Sequence, residues 1–297
     1  MKNITRREFM KTGAAGLAAV SAGFTFSGFS YTPPSVIDQV NLGKSGLKVS
    51  RLALGTGTSG HARQSDFTRM GFDSFIRIAR TAHERGVTFI DTADSYGTHD
   101  FVSRFLKEVP RDQCQIMTKI WTTETSWNKL TPVSQTLDRF RKELNTDYLD
   151  LVLLHCMTSG DWIKTKAGMR DELSAAKQKG LVKTLGVSCH NFDAMKVAVE
   201  DPWVDVILAR INPGQVAMDG SPEQIMALLK TAADHGKGVI GMKIFGAGGW
   251  TNSDQRQESI KFAIESGNVH AMTLGMTSTE HVTDAVDRIM AVVNAGK

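Results

Sequence analysis

The chain has 297 residues, 41% hydrophobic and 22% charged, which excludes a disordered polar chain and fits one sizeable core. Its net charge is +4, but the first eleven residues hold +3 of it, so no basic surface for nucleic acid is expected beyond them. Three cysteines, Cys114, Cys156 and Cys189, are too few and odd in number for a disulfide framework, and no stretch after residue 30 is apolar enough to span a membrane.

Thr5-Arg6-Arg7-Glu8-Phe9-Met10-Lys11 precedes a weakly apolar, Gly- and Ala-rich run from Thr12 to Phe26. Paired arginines, an aromatic two positions on and a closing lysine resemble a twin-arginine export signal. The resemblance implies a signal peptide over residues 1–30. It also implies passage of the folded chain through the twin-arginine translocation machinery, and a periplasmic location. Tyr31-Thr32-Pro33-Pro34 reads as extended, because a proline disfavours helix at the residue before it. The expected organisation is a linker over 31–37 and a globular part over 38–297.

Val40 to Gly43 and Leu47 to Ser50 flank Lys44-Ser45-Gly46, which reads as a β-hairpin with a glycine turn. Strand-like runs then follow: Leu52–Leu54, Val87–Ile90, Gln115–Thr118, Leu149–Leu154, Thr184–Val187, Val204–Ala209, Gly238–Met242 and Val269–Leu274. Helix-like stretches lie between and after them: Phe75–Glu84, Val133–Leu144, Arg170–Lys179, Ala194–Val199, Glu223–Ala233, Gln257–Glu265 and Thr279–Val293. Continuous apolar runs fit strands covered on both faces. Eight strand–helix units at this length predict an α/β fold, a (β/α)8 TIM barrel with an N-terminal β-hairpin. No strand is followed by a G-x-G-x-x-G turn, which weighs against a doubly wound dinucleotide fold.

In such barrels chemistry sits at the carboxyl ends of the strands. The second barrel strand ends in Asp91-Thr92-Ala93-Asp94-Ser95-Tyr96-Gly97, the third in Thr118-Lys119-Ile120-Trp121, the fourth in Leu154-His155-Cys156. A carboxylate, a phenol, an ammonium and an imidazole are thus expected on one rim. A lysine cation beside a tyrosine lowers the phenol's pKa, an aspartate holds the lysine, and a histidine can bond a reacting oxygen.

This ordered set, with Gly186-Val187-Ser188 and the hairpin, resembles the aldo-keto reductases over about residues 38–295. The resemblance implies reduction of aldehyde or ketone carbonyls to alcohols. Tyr96 would be the general acid, Lys119 would lower its pKa, Asp91 would anchor Lys119, and His155 would orient the carbonyl. Ser188 would hold the nicotinamide amide and Met242 would face its ring. Leu208 stands where many members have Gln, and Cys189 where most have Asn. Gly246 and Gly248, after the seventh strand, and Gly275 and Thr277, after the eighth, would receive the cofactor phosphates. Thr277 with Glu280 reads as a capping box, and His281 matches the position that often contacts a 2′-phosphate. NADPH is the expected cofactor, with NADH the alternative. Trp121 and Met157 would line the substrate pocket.

Two other readings stay open in the sequence. One is a barrel that binds a nicotinamide cofactor with little turnover. The other is a metal site built from His155, Cys156, Cys189 and His190. Neighbouring residues of a strand face opposite ways, so convergence of all four is not expected, and no metal is predicted.

Overall fold

A computed structural model describes residues 35–296. The expected export signal and the first residues of the linker lie outside the described residues. Strands β1 (Gln39–Asn41) and β2 (Lys48–Ser50) form the hairpin, with Val40 opposite Val49. Eight parallel strands then close into a barrel. They are β3 (Leu52–Gly55), β4 (Phe89–Asp91), β5 (Gln115–Trp121), β6 (Leu149–Met157), β7 (Val182–Cys189), β8 (Val206–Arg210), β9 (Gly238–Met242) and β10 (Ala271–Gly275), and β10 pairs back onto β3.

The helices form the outer ring: α1 (Asp66–Met70), α2 (Phe72–Glu84), α3 (His99–Phe105), α4 (Val133–Leu144), α5 (Trp162–Thr165), α6 (Ala167–Gln178), α7 (Phe192–Glu200), α8 (Pro222–Asp234), α9 (Ser253–Glu265) and α10 (Thr279–Ala295). Each long helix buries one stripe. In α2 that stripe is Phe75, Ile78, Ala79 and Ala82, spaced three and four apart.

Side chains divide by strand parity. Ala53, Phe89, Met117, Leu151, Leu153, Val206, Leu208, Ile240 and Ala271 fill the barrel, and Leu42, Leu47 and Val49 of the hairpin join the same cluster. The hairpin therefore plugs one end. Their neighbours in sequence, such as Leu54, Ile90, Ile116, Val152 and Leu154, pack outward against the helices. Phe89 is fully buried, and burial of such a side chain stabilises by about 2–3 kcal/mol.

Two sequence expectations differ from this architecture. Val87, Val204 and Val269 are buried but precede the paired strands, which start two residues later. Helix α3 was not evident in the sequence. Its buried residues include Phe101, Val102 and Phe105, and β-branched and aromatic residues are weak helix formers, so tertiary packing rather than propensity makes it. Packing also begins before residue 38. Ile37 is 3% exposed, and the Arg85 guanidinium donates to the Ser35 carbonyl.

Candidate active site

The open end of the barrel collects the side chains that share inward parity at the strand ends. Asp91 ends β4, Lys119 and Trp121 lie on β5, His155 on β6, Ser188 on β7, Met242 on β9 and Thr273 on β10. Lys119 is fully buried and Asp91 is 5% exposed, and the two form an ion pair. Lys119 Nζ also donates to the Thr92 carbonyl at 3.0 Å, and the second Asp91 oxygen accepts from Thr273 Oγ1 at 2.7 Å. The pair is thereby tied to β4, β5 and β10 at once.

Tyr96 closes a short 3-10 turn, Asp94–Tyr96, directly after β4. The turn ends at Gly97, whose φ is +67° and where an added Cβ would come within 2.0 Å of the Arg63 carbonyl oxygen, so there is no room for a side chain. The buried Asp94 carboxylate fixes the turn from outside. It accepts from both Arg139 end nitrogens, at 3.0 and 2.8 Å, and from Arg63 Nε at 3.1 Å. From the other side Gly57 lies against the Tyr96 ring, where an added Cβ would come within 2.4 Å. Lys119 Nζ lies 4.7 Å from the ring centroid, and the His155 ring meets Tyr96 edge-on at 5.7 Å.

Electrostatics correct one expectation. Lys119 does pull the Tyr96 phenol down, but burial of the hydroxyl is the larger influence, and the group is pushed up to about 12. Tyr96 therefore holds its proton and is a donor. Burial works to lower the Lys119 ammonium, but Asp91, followed by Tyr96, outweighs it, and Lys119 stays charged. His155 is held well below the usual histidine range by burial, and then by Lys119 and His190, so it is neutral.

A cavity of about 350 Å³ opens beside this group. Its lining includes Asp91, Tyr96, Met242, Lys243, Gly248 and Gly275, and His281 and Asp284 of α10. Lys243, Arg256 and His281 bring positive or protonatable groups to it. Arg256 faces Asp284 at 3.7 Å, whereas Lys243 is exposed and has no ion pair among the described residues.

Several sequence-predicted residues sit differently. The amides of Gly246, Gly248 and Gly249 already bond the Lys243, Phe245 and Gly246 carbonyls within their own loop, so they do not form a ready anion cradle. Ser278, not Thr277, caps α10, accepting from the His281 amide at 3.2 Å. Thr277 instead sets its hydroxyl 3.4 Å from His281 Nδ1. Ser188 Oγ accepts from the Cys156 amide at 2.9 Å. Met157 is 1% exposed in the outer core, because an irregularity in β6 between Leu154 and Met157, with Cys156 at a φ of +61°, turns it away from the mouth. It does not line a substrate pocket.

The four candidate metal ligands do not converge. Cys189 packs in the outer core, while Cys156 Sγ lies 3.6 Å from His190 Nε2. Burial pushes the Cys156 thiol up to about 11, and His190 is lowered to about 4, first by burial and then by Arg210. Among the described residues no three His, Cys, Asp or Glu side chains are grouped to hold a metal.

Sequence reasoning missed Thr273, Gly57 and the aromatic side chain of Trp127. Trp127 sits on the loop between β5 and α4, with ring centroids 5.2 Å from Trp121 and 5.8 Å from His61.

The family model described as Aldo/keto reductase family matches residues 51–294. Methylglyoxal reductase DkgB of Salmonella typhi is 36% identical over 141 residues, covering 47% of this chain and 51% of that protein. Aldo-keto reductase AKR2E4 of Bombyx mori is 29% identical over 184 residues, covering 56% of this chain and 55% of that protein. The chain thus aligns with about half the length of these curated relatives. Among solved structures, PA4992 of Pseudomonas aeruginosa superposes with a TM-score of 0.72 at 22% identity, over 88% of this chain and 98% of that one. An aldo-keto reductase from Klebsiella pneumoniae, in complex with NADPH, gives 0.65 at 18% identity, over 86% and 90%. At these identities the likeness establishes the fold.

Proposed function

The chain belongs to the aldo/keto reductase family, and from that premise we propose that it reduces aldehyde or ketone carbonyls to alcohols with NAD(P)H. The observation that carries this reading is the convergence of Tyr96, Lys119, Asp91 and His155 at one rim, and burial, which raises the Tyr96 phenol and lowers the His155 imidazole, favours the neutral form of both. Tyr96 gives its phenolic proton to the carbonyl oxygen. Lys119 favours the phenolate left behind, and Asp91 keeps the ammonium in place. Neutral His155 donates a hydrogen bond to the same oxygen and fixes the carbonyl's orientation.

When bound, the nicotinamide cofactor supplies the hydride that goes to the carbonyl carbon. The chemistry of the cavity lining fits such a group. Met242 gives a half-buried apolar face, and Lys243, Arg256 and His281 give basic groups suited to phosphates, with Asp284 paired to Arg256. His281, at the position matched to a 2′-phosphate contact, favours NADPH over NADH. Tyr96→Phe tests the reading. Reduction should fall by about 100- to 10,000-fold while NADPH affinity, read by fluorescence titration, changes little. More than about a tenth of the parent rate would remove Tyr96 from the role of acid.

We further propose that the enzyme is exported folded to the periplasm. Its support is the Thr5–Lys11 motif and the Gly- and Ala-rich run behind it. Arg6→Lys with Arg7→Lys should leave active enzyme in the cytoplasm, and undiminished periplasmic enzyme on fractionation would sink the proposal.

A further inference from the structure

Tyr96 works from a short turn rather than from a strand, so the direction of its hydroxyl depends on what holds that turn. The two ends of the segment are stapled. Thr92 and Thr98 are fully buried and share a hydroxyl–hydroxyl hydrogen bond of 2.7 Å, and Thr98 is joined in the same way to Thr56, also at 2.7 Å. A staple at the ends leaves the turn between them one freedom, rotation about the line that joins them. The group placed to remove it is the Asp94 carboxylate, two residues before Tyr96.

Asp94 is the first link of a chain of polar side chains that leads back to the barrel. Arg139 of α4 sets one end nitrogen on each Asp94 oxygen, at 3.0 and 2.8 Å, a fork that fixes orientation as well as distance. The first of these nitrogens also donates to Glu143 Oε1 at 2.9 Å. Glu143 Oε2 lies 2.6 Å from His99 Nδ1 on α3, and His99 Nε2 lies 2.8 Å from Thr118 Oγ1 on β5, the residue before Lys119. Burial works to raise the Glu143 carboxyl, but His99 and then Arg139 outweigh it and hold it below its ordinary value, so Arg139 is gripped by an anion on each side. Arg63, the other cation on Asp94, comes from a loop and its side chain is 46% exposed, against 34% for Arg139. The turn that carries the acid is thus tied through two helices to the strand that carries its lysine, and Arg139 is the link that touches the turn's carboxylate.

We propose that Arg139 is a positioning residue for the reductase: acting through Asp94, it sets the rotation of the Asp94–Tyr96 turn and so the direction of the Tyr96 hydroxyl. The kinetic consequence rests on the reductase reading above, whereas the placement of Tyr96 is measurable without it. Arg139 is not among the residues that line the cavity beside Tyr96, so its effect should reach the rate without passing through cofactor affinity.

The test uses Arg139→Lys, which keeps the charge and loses the fork, and Arg139→Ala. The chain has three tyrosines, Tyr31, Tyr96 and Tyr148, so NMR spectra of protein carrying 13C-labelled tyrosine rings are simple, and Tyr96→Phe identifies the Tyr96 signal. That signal should shift or broaden in both variants, while the signal of Tyr148, which lies against Arg111 and Lys183, stays in place. An unmoved Tyr96 signal in every variant that folds overturns the proposal. In steady-state assays kcat should fall by about tenfold to a hundredfold, with KM and NADPH affinity within about twofold of the parent. In a Tyr96→Phe background, followed by single turnover over hours, the same substitutions should change the residual rate by less than about twofold, because Arg139 acts through the group already removed. An equal fall in both backgrounds, or a parallel loss of NADPH affinity, would make Arg139 a scaffold residue and overturn the proposal. Should Arg139→Ala fail to fold, Arg139→Lys carries each comparison. Failure of the reductase reading looks different: the parent oxidises no cofactor with any carbonyl, 4-nitrobenzaldehyde included, and the tyrosine spectra then decide alone.

Discussion

Replacing Lys119 by Met separates what the buried ion pair does for folding from what it does for catalysis. Lys119 is fully buried and Asp91 is 5% exposed. Removing the ammonium leaves the Asp91 carboxylate with the Thr273 hydroxyl and no cation. Breaking a buried pair from one side costs about 3–5 kcal/mol. For a domain of this size that corresponds to a fall in melting temperature of about 10 °C. Activity should fall as well, because Lys119 is the foremost influence holding the Tyr96 phenol down against burial. Without it the acid is weaker still, and mild alkali should not restore the rate.

The decisive protein is the double variant, Lys119→Met with Asp91→Val. An apolar pair of similar volume in place of a buried ion pair is often neutral or stabilising. Thr273 lines the cavity and can turn its hydroxyl to solvent. The double variant should recover at least half of the lost stability in thermal melts. Its carbonyl reduction, followed by nicotinamide absorbance, should stay down by about a hundredfold or more. Recovery of activity together with stability would show that Lys119 acts only as a packing element and has no part in tuning Tyr96.

Three further outcomes are expected. Gly57→Ala puts a Cβ within 2.4 Å of the Tyr96 ring, so kcat should fall by about tenfold or more while NADPH affinity holds; an unaltered kcat would show that the ring can move without consequence. Gly248→Val finds open space, but its φ of +92° is strained for valine by about 1–3 kcal/mol, so the loop should shift and NADPH affinity should drop with little change in melting temperature; equal affinities would take this loop out of the cofactor site. His190, lowered to about 4, is protonated more readily unfolded than folded. Its contribution to stability is complete above about pH 6.5 and is lost as pH falls toward about 4, by on the order of 3 kcal/mol. His190→Asn should flatten the denaturant midpoint against pH in that window, and parallel curves would refute the assignment.

The sequence displayed the site residues that depend on strand position alone. Asp91, Lys119 and His155 sit at the ends of apolar runs, and parity sends them inward together. What it hid depends on contacts between distant segments. Thr273 bonds Asp91 across 182 residues, and nothing local in Ala-Met-Thr-Leu-Gly marks that threonine. Gly57 is indistinguishable in sequence from any loop glycine until the Tyr96 ring lies on it. Met157 shows the converse. Two residues beyond His155 on a regular strand it would face the mouth, and only the left-handed turn at Cys156 sends it outward. Helix α3 was hidden because its stability comes from packing.

The protonation states follow from one cause. Burial pushes the Tyr96 phenol up and the His155 imidazole down, so both are neutral and able to donate. The buried cation is balanced by Asp91, yet it lies close enough to Tyr96 for its pull to outrank the aspartate's opposing effect. The result is a rim of neutral donors around a compensated charge. Such a rim gives little to a resting anion. Its donors are already oriented for an oxygen that gains negative charge as hydride arrives, and they need no reorganisation at that moment. A lysine left unpaired at the same depth would relieve its burial by losing its proton, and the influence on Tyr96 would vanish. Asp91 is thus needed for the charge on Lys119 to persist, and with it the influence on Tyr96.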